Sequence, residues 1–183
     1  MGHYVLDRSA SRFTVRAFAG GMLSAMGHNP TIAIRDFTGE VNFDPADPRK
    51  GTLRMQIRAD SLEVTDDIKS SDRKEMESMM RQQVLQTAQY PNITFEAAAT
   101  SANQLGEGRF QVSLDGTLSL RGATGHAPVT TQVTVLDDVL RASGEFSILQ
   151  TDYAVPLVSV AGGALKLKDE LKFTFDIVAR QQE

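Results

Sequence analysis

Residues 110–120 read FQVSLDGTLSL. Phe110, Val112, Leu114, Gly116, Leu118 and Leu120 share one side of an extended chain, and Gln111, Ser113, Asp115, Thr117 and Ser119 share the other. A period of two predicts a β-strand with one dry face and one wet face. A glycine on the dry face marks a bend or a close approach of another group. The pattern recurs outward from this stretch in both directions. RFTVRA (12–17), TLRMQIRA (52–59), NITFEAA (92–98), PVTTQVTV (128–135), LRASGEFSI (140–148) and KLKDELKFTFDIV (166–178) all alternate. In TIAIRDFTGEVNF (31–43) the apolar phase passes from even numbers (Ile32, Ile34) to odd ones (Phe37, Val41, Phe43), which predicts a bulge near Asp36.

About eight strands result, most of them wet on one face. That is the pattern of an antiparallel sheet, because buried parallel strands read as continuous apolar runs. A sandwich and a closed barrel both satisfy it. Long strands with glycines at Gly39, Gly116 and Gly144 favour a strongly coiled barrel. One segment departs from the period. SSDRKEMESMMRQQVLQTAQYP (70–91) has helical spacing, with Met76, Met79, Met80, Gln83 and Val84 on one stripe. Asp72 and Glu75 are spaced as in a capping box, and Pro91 lies past the helix end. The expectation is all-β: a single domain over residues 1–183, with one helix in a long inter-strand connection.

The 183 residues include no cysteine, which excludes disulfides, thiol nucleophiles and thiolate metal sites. The net charge of −4 gives no basic footprint for nucleic acid. No apolar run approaches the ~20 residues of a membrane span. The N-terminus lacks a basic segment followed by an apolar one, so the expected location is cytoplasmic, or periplasmic or secreted if the chain is a processed form. His28 and His126 lie beside Gly and Pro and read as turn residues without metal-ligand context. Asp66, Asp67, Asp72, Glu75 and Glu77 read as a solvated helix face. Asp169 is different, because it falls on the dry phase of the last strand and must be paired or sit at a barrel mouth. Nucleophile elbows, phosphate loops and zinc motifs are absent from the sequence, so no cofactor, metal or catalytic residue is expected.

Six stretches, in order, resemble the YceI-like polyisoprenoid-binding family. They are YVLDRSASRFTVRA (4–17), FTGEVNFDP (37–45), QYPNITFEA (89–97), VSLDGTLSLRGATGHAPV (112–129), GEFSILQTDYAV (144–155) and KLKDELKFTFDIVA (166–179). Against that pattern Tyr4 stands where tryptophan is usual, Ala17 for histidine and Gln150 for arginine, and the methionine-rich helix is longer. The resemblance implies an eight-stranded antiparallel lipocalin-like barrel, open at one end, holding an isoprenoid lipid or quinone tail. It also implies a homodimer near a membrane but not in it.

On that reading the wall is Phe13, Val15, Ile34, Phe43, Met55 and Ile57 from the first half of the chain. Phe95, Val112, Leu114, Phe146 and Phe173 continue it. Met76 and Met80 form a lid, and Tyr153 stands near the entrance. The function expected is non-catalytic lipid binding or transport. Two rivals stay open: a solidly packed interaction or stress-response module, and an enzyme acting on an apolar substrate with Asp169 as its acid. Small inward residues (Ala17, Gly39, Ala59, Ala97, Gly116, Ala142, Gly144) argue for space inside unless facing phenylalanines fill it.

Overall fold

The structure, a computed structural model, describes residues 1–21 and 29–182. The strands in chain order are β1 (Gly2–Leu6), β2 (Arg12–Gly20), β3 (Thr31–Ile34), β4 (Phe37–Phe43), β5 (Thr52–Arg58) and β6 (Leu62–Val64), followed by the helix α1 (Ser70–Met79). Then come β7 (Asn92–Gly106), β8 (Arg109–Leu120), β9 (Ala123–His126), β10 (Val129–Leu136), β11 (Val139–Leu149), β12 (Ser159–Val160) and β13 (Leu165–Gln181). Every pairing is antiparallel, and β1, β4, β5, β7, β8, β10, β11 and β13 close into a ring of eight when β13 meets β1. Closure satisfies the backbone groups that an open sheet edge would expose.

Among the described residues thirteen strand segments make eight staves: three staves are broken at one level, β9 and β10 continue one another along β8, and the short β12 only flanks β13. A short helical turn (Arg8–Ala10) separates β1 from β2, Arg35 and Asp36 separate β3 from β4, and a second turn (Ala59–Ser61) separates β5 from β6. The breaks are tied together. Arg8 pairs with Asp36, the Asp36 amide donates to Ser61 Oγ at 3.0 Å, and the Arg58 amide donates to the Asp36 carbonyl at 3.0 Å. The phase change near Asp36 is therefore a corner between two strands, not the expected bulge. On one side of it β3 pairs with β2 and β6; on the other β4 pairs with β1 and β5.

Below this corner the ring is closed. Above it, β6 does not pair with β7, and α1 takes the place of a strand. Glu77 Oε1 accepts from the Val64 amide at 3.0 Å, and Arg81 Nη2 reaches the Leu62 carbonyl at 3.5 Å. Side chains of the helical segment thus satisfy the free edge of β6. The expected capping box is not formed: the helix starts after Lys69, which makes no side-chain cap, and Asp72 lies in its first turn. After Met79 the helix loosens into a π turn (Met80–Val84), which buries Met80.

The seam between the chain ends is held by Asp7. Its carboxylate accepts from the amides of Ser9 and Ala10 and from Arg180 Nε on β13 at 2.9 Å. With the Ser9 hydroxyl as the strongest of these partners and Arg180 next, its pKa falls to about 2.

Candidate functional site

The barrel interior holds a cavity of about 470 Å³, within the range of small-molecule sites. Strand alternation supplies its wall. Phe13, Val15 and Ile34 from the first strands, Met55 and Ile57 from β5, and Phe95, Leu114, Phe146 and Phe173 from the second half all border it. Met76, Met79 and Met80 close it from the helix side. The lower limit is a plug of tightly packed side chains. Tyr4, Phe43, Phe110, Val112 and Val133 are buried there without bordering the cavity, and the rings of Phe43 and Phe110 meet edge to face at 5.5 Å.

Three expected lining residues therefore lie elsewhere. Phe43 and Val112 belong to the plug. They sit on the inward phase, but at the level where the staves are closest to filled. Tyr153 is 1% exposed and packs on Gly125 of β9, where a Cβ would come within 2.8 Å of the ring. It clamps β9 to the turn Gln150–Tyr153 instead of facing the entrance. Burial, with Asp152 adding to it, raises its hydroxyl pKa.

A row of rings crosses the middle of the barrel. Phe146 stacks on Phe173 at 4.7 Å and faces Phe95 at 6.3 Å, and Phe173 touches Phe13 at 6.1 Å. The inward glycines serve these rings. A Cβ at Gly144 would stand 2.9 Å from Phe175 Cζ, and Gly116 is covered by Phe95. Small residues at those two positions thus report occupied space. The cavity lies around and above the row.

Polar groups are few. Thr131 and Gln150 border the cavity while being 4% and 2% exposed, and neither is among the expected lining residues. Gln150 could have been found by counting two residues on from Ile148 along the inward phase of β11. Asp72, Glu75 and Lys166 stand at the rim, exposed.

Asp169 does not face the cavity. The register between β13 and β2 shifts between Leu167 and Leu171, and this irregularity takes Asp169 out of the inward phase. Its carboxylate accepts from the Thr151 hydroxyl at 2.6 Å and the Thr151 amide at 2.9 Å. These bonds favour the charged form and lower its pKa, the opposite of what a general acid needs. His126 pairs on the surface with Asp115, Nε2 to Oδ1 at 2.6 Å, and lies in β9 instead of a turn. His28 lies outside the described residues. No group of three or more His, Cys, Asp or Glu suited to a metal ion occurs among the described residues.

A closed antiparallel barrel with an apolar interior and a helix at its mouth defines a lipocalin-like fold. The YceI-like domain family matches residues 4–179, and the chain belongs to that family. A protein of Azotobacter vinelandii called UPF0312 protein is 28% identical over 123 residues, a match spanning 66% of this chain and 56% of that protein's length. Among solved structures, BcnA of Burkholderia cenocepacia has a TM-score of 0.71 at 19% identity, covering 94% of this chain and 98% of that one. A polyisoprenoid-binding domain from Saccharophagus degradans, implicated in plant cell wall breakdown, has 0.70 at 15%, covering both chains completely. The YceI protein of Campylobacter jejuni has 0.61 at 14%, covering 86% and 88%. At these identities the likeness is one of fold.

Proposed function

We propose that the protein binds a long apolar lipid of the isoprenoid class in the barrel cavity and performs no chemistry on it. The observation that carries this reading is the cavity itself: about 470 Å³ walled by aliphatic, methionine and phenylalanine side chains, plugged below and bordered by a methionine-lined helix above. Each methylene such a wall removes from water contributes about 0.8 kcal/mol. Affinity then grows with chain length and depends weakly on chain shape. The polyisoprenoid-binding neighbour supports the same ligand class. The position of Asp169, bonded to Thr151 outside the cavity, weighs against the enzymatic reading.

The finer parts of the proposal are an isoprenoid alcohol or quinone as the lipid, transfer as its purpose, and a homodimer as the working unit. Organic extraction of purified protein followed by mass spectrometry, beside native mass spectrometry of the intact protein, tests them together. One isoprenoid per chain supports the proposal, and the intact mass gives the oligomer. A protein that emerges empty and refuses added isoprenoids overturns it in favour of a fold used without its cavity.

A further inference from the structure

Strand β11 turns its even-numbered residues inward: Leu140, Ala142 and Phe146 border the cavity and Ile148 is buried. Gln150 is the next residue in that phase, at the point where the strand becomes a helical turn. Its Nε2 donates to the Lys168 carbonyl at 2.9 Å. This bond fixes which way the amide points, because a carbonyl oxygen accepts from the NH2 side alone. Oε1 is turned the other way. Among the described residues no hydrogen bond to it is formed, and Gln150 borders the cavity.

The second buried polar group of the wall points to the same chemistry. Thr131 Oγ1 donates its proton to the Ser143 carbonyl at 3.0 Å, so any further bond it makes is as an acceptor. The buried wall thus presents acceptors, while the donor Lys166 belongs to the exposed rim. An amide oxygen that no protein donor satisfies, on a residue bordering an apolar cavity, is a ready acceptor for a ligand O–H. An ether or an oxidised quinone, whose oxygens only accept, places lone pair against lone pair.

We infer that Gln150 Oε1 anchors the polar end of the bound lipid, and that this end is a hydrogen-bond donor, a hydroxyl. The inference rests on the lipid-binding reading above. It also orients the lipid. The hydroxyl sits near the mouth and the tail runs down past Phe146 toward Leu140. Ten residues of strand separate Gln150 from Leu140, about 33 Å along the chain and roughly 25 Å along the axis of a barrel with tilted strands.

The test compares two probes, geranylgeraniol and its methyl ether, which differ in the loss of the O–H donor. Binding to the full chain is measured by native mass-spectrometric titration. Wild type binds the alcohol about tenfold tighter than the ether. Gln150→Met, similar in length and apolar, binds the alcohol about tenfold more weakly and the ether unchanged. Equal affinities in wild type, or parallel loss of both probes in Gln150→Met, overturn the assignment of Gln150 while leaving lipid binding in place. Binding of neither probe to wild type overturns the lipid-binding reading and this inference with it. The wild-type comparison needs no variant, so equal affinities there overturn the inference even if Gln150→Met, which also loses its bond to Lys168, melts too early to use.

Discussion

The ring of Phe95 occupies the space that a side chain at residue 116 would need. A Cβ there would stand 2.4 Å from Phe95 Cε2 and 2.4 Å from the Ala127 carbonyl oxygen. The glycine in LDGTL therefore admits two neighbours at once, a ring from β7 and the backbone leading into β10. Gly116→Ala is expected to cost about 2–3 kcal/mol through overpacking, read as a lower urea midpoint at unchanged slope. Adding Phe95→Ala removes the ring but not the carbonyl. The double variant should therefore be more stable than the sum of the two single losses allows, yet below wild type.

Neighbouring inward positions on β8 should respond in opposite ways to tryptophan. Leu114 borders the cavity, so Leu114→Trp fills it: the protein stays folded and loses lipid on extraction. Val112 is 2% exposed and lies in the plug, where no space receives a larger side chain. Val112→Trp is expected to lose about 3 kcal/mol of stability. Thermal melts beside lipid counts per chain separate the two effects.

How much of this was legible beforehand follows from period and level. Alternation places a residue inside or outside a stave, and it did so for Phe13, Met55 and Leu114. It carries no information about height. Phe43 and Val112 have the correct phase but lie in the plug. Breaks in the period carry the rest. The corner at Asp36 was visible as a change of phase, but its form was not, because a bulge and a corner leave the same mark in one strand. The irregularity that removes Asp169 from the interior depends on β2, which lies more than a hundred residues away in sequence. Tyr153 needed tertiary knowledge as well, since only the fold brings Gly125 beneath its ring.

The hold of α1 on β6 runs largely through Glu77. Glu77→Ala removes the acceptor of the Val64 amide, 3.0 Å away, and is expected to cost about 1 kcal/mol. Its larger effect falls on exchange. The Val64 amide loses protection against deuterium, and preloaded lipid leaves faster. Unchanged exchange at Val64 would mean that the helix is held by its methionines instead.

Acid stability should depend on Asp7. Its folded pKa of about 2 lies below the ordinary 3.8, so the unfolded chain takes up the proton first as pH falls. The contribution of Asp7 is complete above about pH 4 and is lost progressively between pH 4 and pH 2. Asp169 and Asp176 are lowered too, by Thr151 and Arg141 respectively, and add to the same limb. Melting temperatures from pH 7 to pH 2 should fall more steeply for wild type than for Asp7→Asn, with the difference confined to that window.

The meeting of β1 with β13 has a consequence for how the protein comes to hold anything at all. Tyr4 pairs with Gln181 and Leu6 with Ala179, so the ring is completed by contacts nearly the whole chain apart. Such contacts carry a large loop-closure entropy and form late in folding. As the ribosome releases the chain, staves accumulate as an open, curled sheet with its apolar face uncovered. The cavity therefore exists as an enclosed space only after the last stave docks, once the whole chain has left the ribosome, and whatever it encloses is enclosed after synthesis.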